Sequence, residues 1–413
     1  MYQYISFYFF LSLFVFLCLP FFYSGGLNLL GFMVNNSYFI FDSLSFYLVL
    51  LVLFLGAYTI FFVNLYLTTK TVFFLTMSLI FTVLCFCSNH SIFFWCFYEL
   101  SMLPLLYLIF CDSPYSERFI AGWYFAVYLL VTSLPLILLL GYFSFINNSL
   151  FFSSWVFQNN ILYLYAILAF IFFTKVPLCP FHTWLPIVHA EATSVVSIFL
   201  SGYIMKLGLL GVYRCSPFLF NGNFVVYLFL CCVFSIFFIV TAANELDGKR
   251  WLAFLSLSHI LVPFLGFYVT SWGSINLSFF YCLGHGLSAG LVFGFLWYFY
   301  DKTNTRNWIL LKSGVSGSVS MLVIVLGLLS LCSFPPTIQF FCEVYLVISS
   351  SFSWIYLSFW CFYLFLGGLV PLVLCGHLLI RCDSTESNTC LVHNYSFYFL
   401  FIILWCYLGT FIL

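Results

Sequence analysis

Charge is what this sequence has least of. Only 5% of its 413 residues are Asp, Glu, Lys or Arg, and the net charge is zero. So sparse and balanced a set offers nothing to nucleic acid or to an acidic partner. Polar stretches long enough to fold alone are missing too. The longest, 301–313 and 381–393, run to about a dozen residues, which excludes a separate soluble domain. The 17 cysteines form no C-x-x-C pair and no iron–sulfur or zinc spacing. Most lie in apolar runs, where cysteine behaves as a small hydrophobe. His182 and His189 stand seven residues apart with no third ligand nearby, a poor metal site. No phosphate-cradling glycine loop, nucleophile elbow or dinucleotide fingerprint occurs. The chain is therefore expected to carry no metal, no cofactor and no redox chemistry of its own.

What is present is hydrophobic: 65% of the residues, with 60 phenylalanines among them. Together with the abundant cysteine, that bias resembles a T-rich coding sequence such as some organellar genomes hold. Usage of this kind belongs to an all-α polytopic membrane protein. Apolar runs of about 17 residues or more read as spans. They fall near 2–23, 42–66, 71–87, 90–111, 118–146, 161–181, 192–213, 224–243, 251–270, 274–300, 314–348, 352–380 and 395–413. The chain thus reads as one transmembrane domain over 1–413 with about thirteen helices. Its start lacks a basic n-region and an A-x-A-like site, so 2–23 reads as a first membrane helix and not as a removed signal.

The positive charges test this order. With alternate connections assigned to one side, that side holds Lys70, Arg118, Lys249, Arg250, Lys302, Arg306, Lys312 and Arg381, and the other holds only Arg214. Such a bias marks a consistent topology. Two spans carry helix breakers: the sixth, at Lys175-Val176-Pro177, and the eleventh, at Pro335-Pro336. Their offset of five is odd, so two halves of opposite orientation are expected, a first repeat over about 71–213 and a second over about 224–380, followed by a C-terminal helix 395–413.

Four of the 22 acidic and basic residues remain inside spans: Glu99, Lys175, Lys206 and Glu343. An ionisable group at membrane depth costs at least ~2.5 kcal/mol, so each needs a partner or a task. Buried ion pairs that only hold helices together are the plainer reading. Two of the four sit beside helix breaks in opposed halves, which favours a charge-carrying pathway. His259 and His285 also lie within spans; histidine titrates near neutrality and suits a relay, although a hydrogen-bonded packing role is as common.

Several segments together resemble a known family. FYELSMLP (97–104), SERFIAGWYFAVYLLVTSLPL (116–136), KVPLCPFHTWLPIVHAEA (175–192), YIMKLGLLGVYR (203–214), LDGKRWLAFLSLSH (246–259), GHGLSAGLVF (284–293) and FPPTIQFFCE (334–343) occur in the family's order. Over about 88–381 the chain resembles the antiporter-like membrane subunits of respiratory complex I. Glu343 separates it from the chain 5 and chain 2 types, which resemble it but show lysine there. The chain also ends before the lateral helix that the chain 5 type carries. It departs from the pattern at Ile187 and Thr193, where lysine and proline are usual, and at 244–247. Its start appears one helix short of the usual set, which would put residue 1 on the matrix side.

The resemblance implies proton translocation in the mitochondrial inner membrane, as a subunit of NADH:ubiquinone oxidoreductase. Glu99 and Lys175 would be a coupled pair, Lys206 the central relay, Glu343 the terminal residue of the second half-channel, and His259 and His285 relays between. An adjacent carboxylate favours a lysine's charged form, so moving it toward or away from the lysine switches proton holding to release. NADH, FMN, iron–sulfur clusters and ubiquinone would act in other subunits, and the partners would be membrane-arm subunits of the chain 5 and chain 2 types and lipids. Two alternatives stay open: a subunit of an Mrp-type cation/proton antiporter, and a structural membrane subunit that transports nothing.

Overall fold

A computed structural model describes residues 34–35, 37–63, 67–156, 161–219, 224–270, 274–312, 315, 318–380 and 390–412. The chain is an all-α membrane bundle. In order come α1 (Ser43–Val63), α2 (Thr69–Cys87), α3 (Ser91–Asp112), α4 (Arg118–Ile146), α5 (Leu162–Lys175) and α6 (Trp184–Glu191). Next are α7 (Ser194–Cys215), α8 (Val225–Asn244), α9 (Gly248–His259), α10 (Leu261–Val269) and α11 (Asn276–Thr303). The last are α12 (Ser318–Leu331), α13 (Ile338–Ser350), α14 (Trp354–Leu379) and α15 (Cys390–Ile412). Each expected span from 42–66 onward coincides with one helix or with a pair of half-helices. The span 2–23, the side on which residue 1 stands, and Arg381 lie outside the described residues.

The helices start where a side chain can satisfy the first free N–H groups. Thr68 accepts from the Thr71 N–H ahead of α2, and Asp247 from the Lys249 N–H ahead of α9. The two expected breaks are present. Residues 176–183 separate α5 from α6, and 332–337 separate α12 from α13, each around its prolines. Backbone freed at the first break is claimed by side chains: the Trp184 indole donates to the Thr174 carbonyl at 2.9 Å and Tyr227 Oη to Cys179 O at 2.7 Å.

Two spans read from the sequence as continuous are interrupted. Ile260 is a turn between α9 and α10, because Pro263 has no N–H for the His259 carbonyl four residues back and its ring crowds that carbonyl. Inside α7, residues Leu200–Ile204 form a π-turn, so Lys206 does not sit in an unbroken helix.

Burial sorts the helices. α7 is enclosed all along its length and α11 almost so, while α4 and α2 turn most of their surface outward. Close approach of α7 to the first break depends on Gly208. A β-carbon there would lie 2.4 Å from Val176 Cγ2 and 3.3 Å from the Phe172 carbonyl, so only glycine fits without displacing the break.

Contacts tie several of the connections into two sets, with Lys249 and Arg306 in one and Arg214 in the other, as the charge count divides them. At one end, Arg306 lies 3.6 Å from both Glu191 and Asp247, Lys249 donates to Ala192 O at 2.8 Å, and Arg118 donates to Ser113 O. At the other, Arg214 meets Asp42 at 3.4 Å and donates to the carbonyls of Phe86 and Ser88, while Ser43 donates to Asn276.

Candidate functional site

The first break delivers one lysine. Lys175 ends α5, where the last carbonyls favour a cation. Its Nζ lies 2.8 Å from Glu99 Oε1 on α3 and 4.4 Å above the Tyr98 ring, so a carboxylate and an aromatic face hold it together. Lys175 is 3% exposed and Glu99 13%, which leaves the carboxylate on the more open side of the pair.

The π-turn delivers the second. Widening the helix at Leu200–Ile204 releases the Ser201 carbonyl, and Lys206 Nζ donates to it at 2.6 Å. The same Nζ lies 3.1 Å from His285 Nδ1 on α11. Lys206 is wholly buried, and among the described residues no carboxylate neutralises it directly.

From His285 the polar groups continue. The His285 and His259 rings lie 5.4 Å apart, and both Nε2 atoms are buried without a hydrogen-bond partner. On its other nitrogen, His259 Nδ1 touches the Tyr363 hydroxyl of α14 and lies 3.3 Å from Tyr281 Oη of α11. The two hydroxyls are 3.3 Å apart. Tyr281 donates to Glu343 Oε1 at 3.2 Å, and Tyr363 and Ser333 are polar neighbours of the same carboxyl. Ser333 belongs to the second break and Glu343 to the second turn of α13, so the break places both. Lys206, His285, His259, Tyr281, Tyr363 and Glu343 thus form one buried row contributed by α7, α11, α9, α14 and α13.

Of the six residues singled out from the sequence, four lie in this row. Glu99 and Lys175 make a pair of their own, and among the described residues no hydrogen bond joins them directly to Lys206. Polar groups lie between: Tyr203, three residues before Lys206, hydrogen-bonds Ser78, and Ser78 donates to the carbonyl of Ser101, two residues past Glu99. His182 rests on Phe238 and His189 stacks on Phe293 at 5.0 Å, and neither joins the row. Among the described residues, no group of three His, Cys, Asp or Glu side chains is placed to hold a metal.

Sequence reasoning missed the two tyrosines and misjudged one lysine. Tyr281 and Tyr363 are two of 29 tyrosines in the chain, and nothing in their neighbours marks them. Lys249 reads from the sequence as a connection charge beside Asp247 and Arg250, yet it is 3% exposed, with its Nζ against Ala192 O and 5.0 Å from the Tyr115 ring centre.

The family model described as NADH:quinone oxidoreductase/Mrp antiporter, TM, matches residues 88–369. The chain is 31% identical over 344 residues to a NADH-ubiquinone oxidoreductase chain 4 from Ceratitis capitata, covering 80% of this chain and 76% of that one. To the chain 4 of Myxine glutinosa it is 32% identical over 290 residues, 67% of this chain and 62% of the relative. Its fold is similar to a chain of respiratory complex I from Thermus thermophilus with bound NADH, with a TM-score of 0.79 at 18% identity over 90% of this chain and 82% of the other. It is also similar to a chain of the Mrp complex from Dietzia sp. DQ12-45-1b, with a TM-score of 0.70 at 16% identity over 82% and 66%.

Proposed function

Because this chain belongs to the NADH:quinone oxidoreductase/Mrp antiporter transmembrane family, we propose that it is the chain 4 type of proton-translocating subunit in the membrane arm of respiratory complex I. One observation carries the reading: the buried row from Lys206 to Glu343, in which every neighbouring pair except the two histidines is in hydrogen-bond contact. A charge kept only to hold helices together would be expected to face an opposite charge. Lys206 instead faces a neutral carbonyl, which only accepts its hydrogen bond, and an imidazole, which can take up and return a proton.

In this reading the Glu99–Lys175 pair is the switch and Lys206 the central relay. Histidine, tyrosine and Glu343 carry the proton onward through the second half. The Glu99 carboxylate favours a charged Lys175, and its withdrawal would favour release toward Lys206. The driving energy comes from elsewhere: NADH, FMN, iron–sulfur clusters and ubiquinone belong to other subunits, and this chain contributes to NADH:ubiquinone reductase without a redox site. The partners are membrane-arm subunits, those of the chain 5 and chain 2 types first, and the setting is the mitochondrial inner membrane. The inverted-repeat division at about 71–213 and 224–380 fits a break in each half.

The test is Lys206→Ala in the assembled complex. Electron transfer from NADH to the flavin should persist, while proton pumping coupled to quinone reduction falls. Membranes that pump at the normal proton-to-electron ratio would refute the proposal. The likeness to an Mrp chain supports one rival, a cation/proton antiporter subunit. Purification of the native assembly separates the two, since flavin and iron–sulfur subunits accompany the chain only in complex I.

A further inference from the structure

We infer that Tyr281 and Tyr363 are paired proton-relay residues that bridge His259 and Glu343 by two parallel routes. The inference rests on the translocation reading above and names a step within it. His259 and Glu343 come from different helices, and no direct hydrogen bond between them appears among the described residues. Both hydroxyls reach both ends. Tyr363 Oη touches His259 Nδ1 and is a polar neighbour of the Glu343 carboxyl. Tyr281 Oη lies 3.3 Å from His259 Nδ1 and 3.2 Å from Glu343 Oε1. The two oxygens are also within reach of each other. All four residues are buried away from the surface.

A proton inventory shows what this arrangement can do. Each phenol has one hydrogen to give and two lone pairs to accept with. With His259 neutral and bare at Nδ1, both hydroxyls donate, one to the imidazole and one to the carboxylate. With a proton on Nδ1, His259 donates and the phenol turns toward Glu343. The transfer then balances without ionising a phenol: the Nδ1–H bond breaks as its proton joins a tyrosine oxygen, and that tyrosine's own hydrogen passes to Glu343 Oε1. Net, one proton leaves the imidazolium, the carboxylate becomes the acid, and the tyrosine is again neutral. Either tyrosine can serve, or Tyr363 can pass its hydrogen through Tyr281. A phenol that only filled space would need no oxygen at this spot, and phenylalanine, of which the chain has 60, would pack as well.

The experiment compares Tyr281→Phe, Tyr363→Phe, the double variant and Lys206→Ala in the assembled complex. It measures proton-to-electron ratio, quinone-coupled turnover and its solvent isotope effect. Because each route backs up the other, each single variant should lose less than about tenfold in turnover, with a raised isotope effect. The double variant should lose about a hundredfold or more in pumping, the usual contribution of a positioned proton carrier. A double variant that pumps normally while Lys206→Ala does not would overturn this inference and leave the translocation reading standing. If Lys206→Ala also pumps normally, both fail. Should the double variant not assemble, the singles decide: an isotope effect unchanged in both overturns the relay, since a packing role does not alter it.

Discussion

Lys206 and His285 meet at 3.1 Å, nitrogen to nitrogen, in the buried centre of the bundle. Two positive charges at that separation repel by about 5 kcal/mol even at an effective dielectric of about 20. The pair therefore shares one excess proton, and a proton arriving on one side displaces one toward the other. Arginine in place of Lys206 would keep the charge but lose the exchange, because a guanidinium does not release its proton. Lys206→Arg should therefore leave an assembled complex with flavin-site NADH oxidation and abolish coupled pumping. Normal pumping by that variant would remove Lys206 from the pathway.

Glu99 and Lys175 make a different kind of pair, one of opposite charges. Removing one partner leaves a buried charge alone, at a cost of roughly 3–5 kcal/mol, reduced here by the carboxylate's partial exposure. Glu99→Ala should lower the thermal stability of the membrane arm, and Glu99→Ala combined with Lys175→Met should restore most of it. Both single and double variants should lose coupled pumping. Additive stability losses would mean that the two residues do not interact in the assembly.

The two Nε2 atoms of His259 and His285 have no partner among the described residues. A buried unpaired donor or acceptor costs about 1–3 kcal/mol, and in proteins such atoms are met by ordered water. A map of the assembled complex should show water between these rings, in contact with both nitrogens. Rings that remain in dry contact there would break the proton path at its one open link.

Gly208 is held by sterics and Gly141 is not. Gly208→Ala places a β-carbon against Val176 and the Phe172 carbonyl, whereas nothing lies within 4 Å of a β-carbon at 141. The first change should destabilise by about 1–3 kcal/mol through overpacking. Gly141→Ala should be neutral or stabilising by up to ~1 kcal/mol. Equal thermal shifts for the two would show that α7 does not press on the break.

How far the sequence could be read followed from contrast. A lysine or glutamate inside an apolar run stands out, so Glu99, Lys175, Lys206 and Glu343 were visible, and run length marked the spans. Prolines were harder to weigh. Pro104, Pro135 and Pro371 sit inside continuous helices, whereas Pro263 opens a turn at Ile260. Neighbouring helices decide whether the freed carbonyl is satisfied, and that is tertiary information. The π-turn at Leu200–Ile204 and the burial of Lys249 have the same origin. Tyr281 and Tyr363 were hidden by their own kind, because a tyrosine among many aromatic residues carries no contrast.

The bonds across the first break have a mechanical consequence. Trp184 on one side of the gap grips the last turn on the other, and Tyr227 ties the intervening loop to a third helix. The interruption is therefore a braced joint: bending it would cost both bonds, so the frame that carries Lys175 resists displacement more than an open gap would.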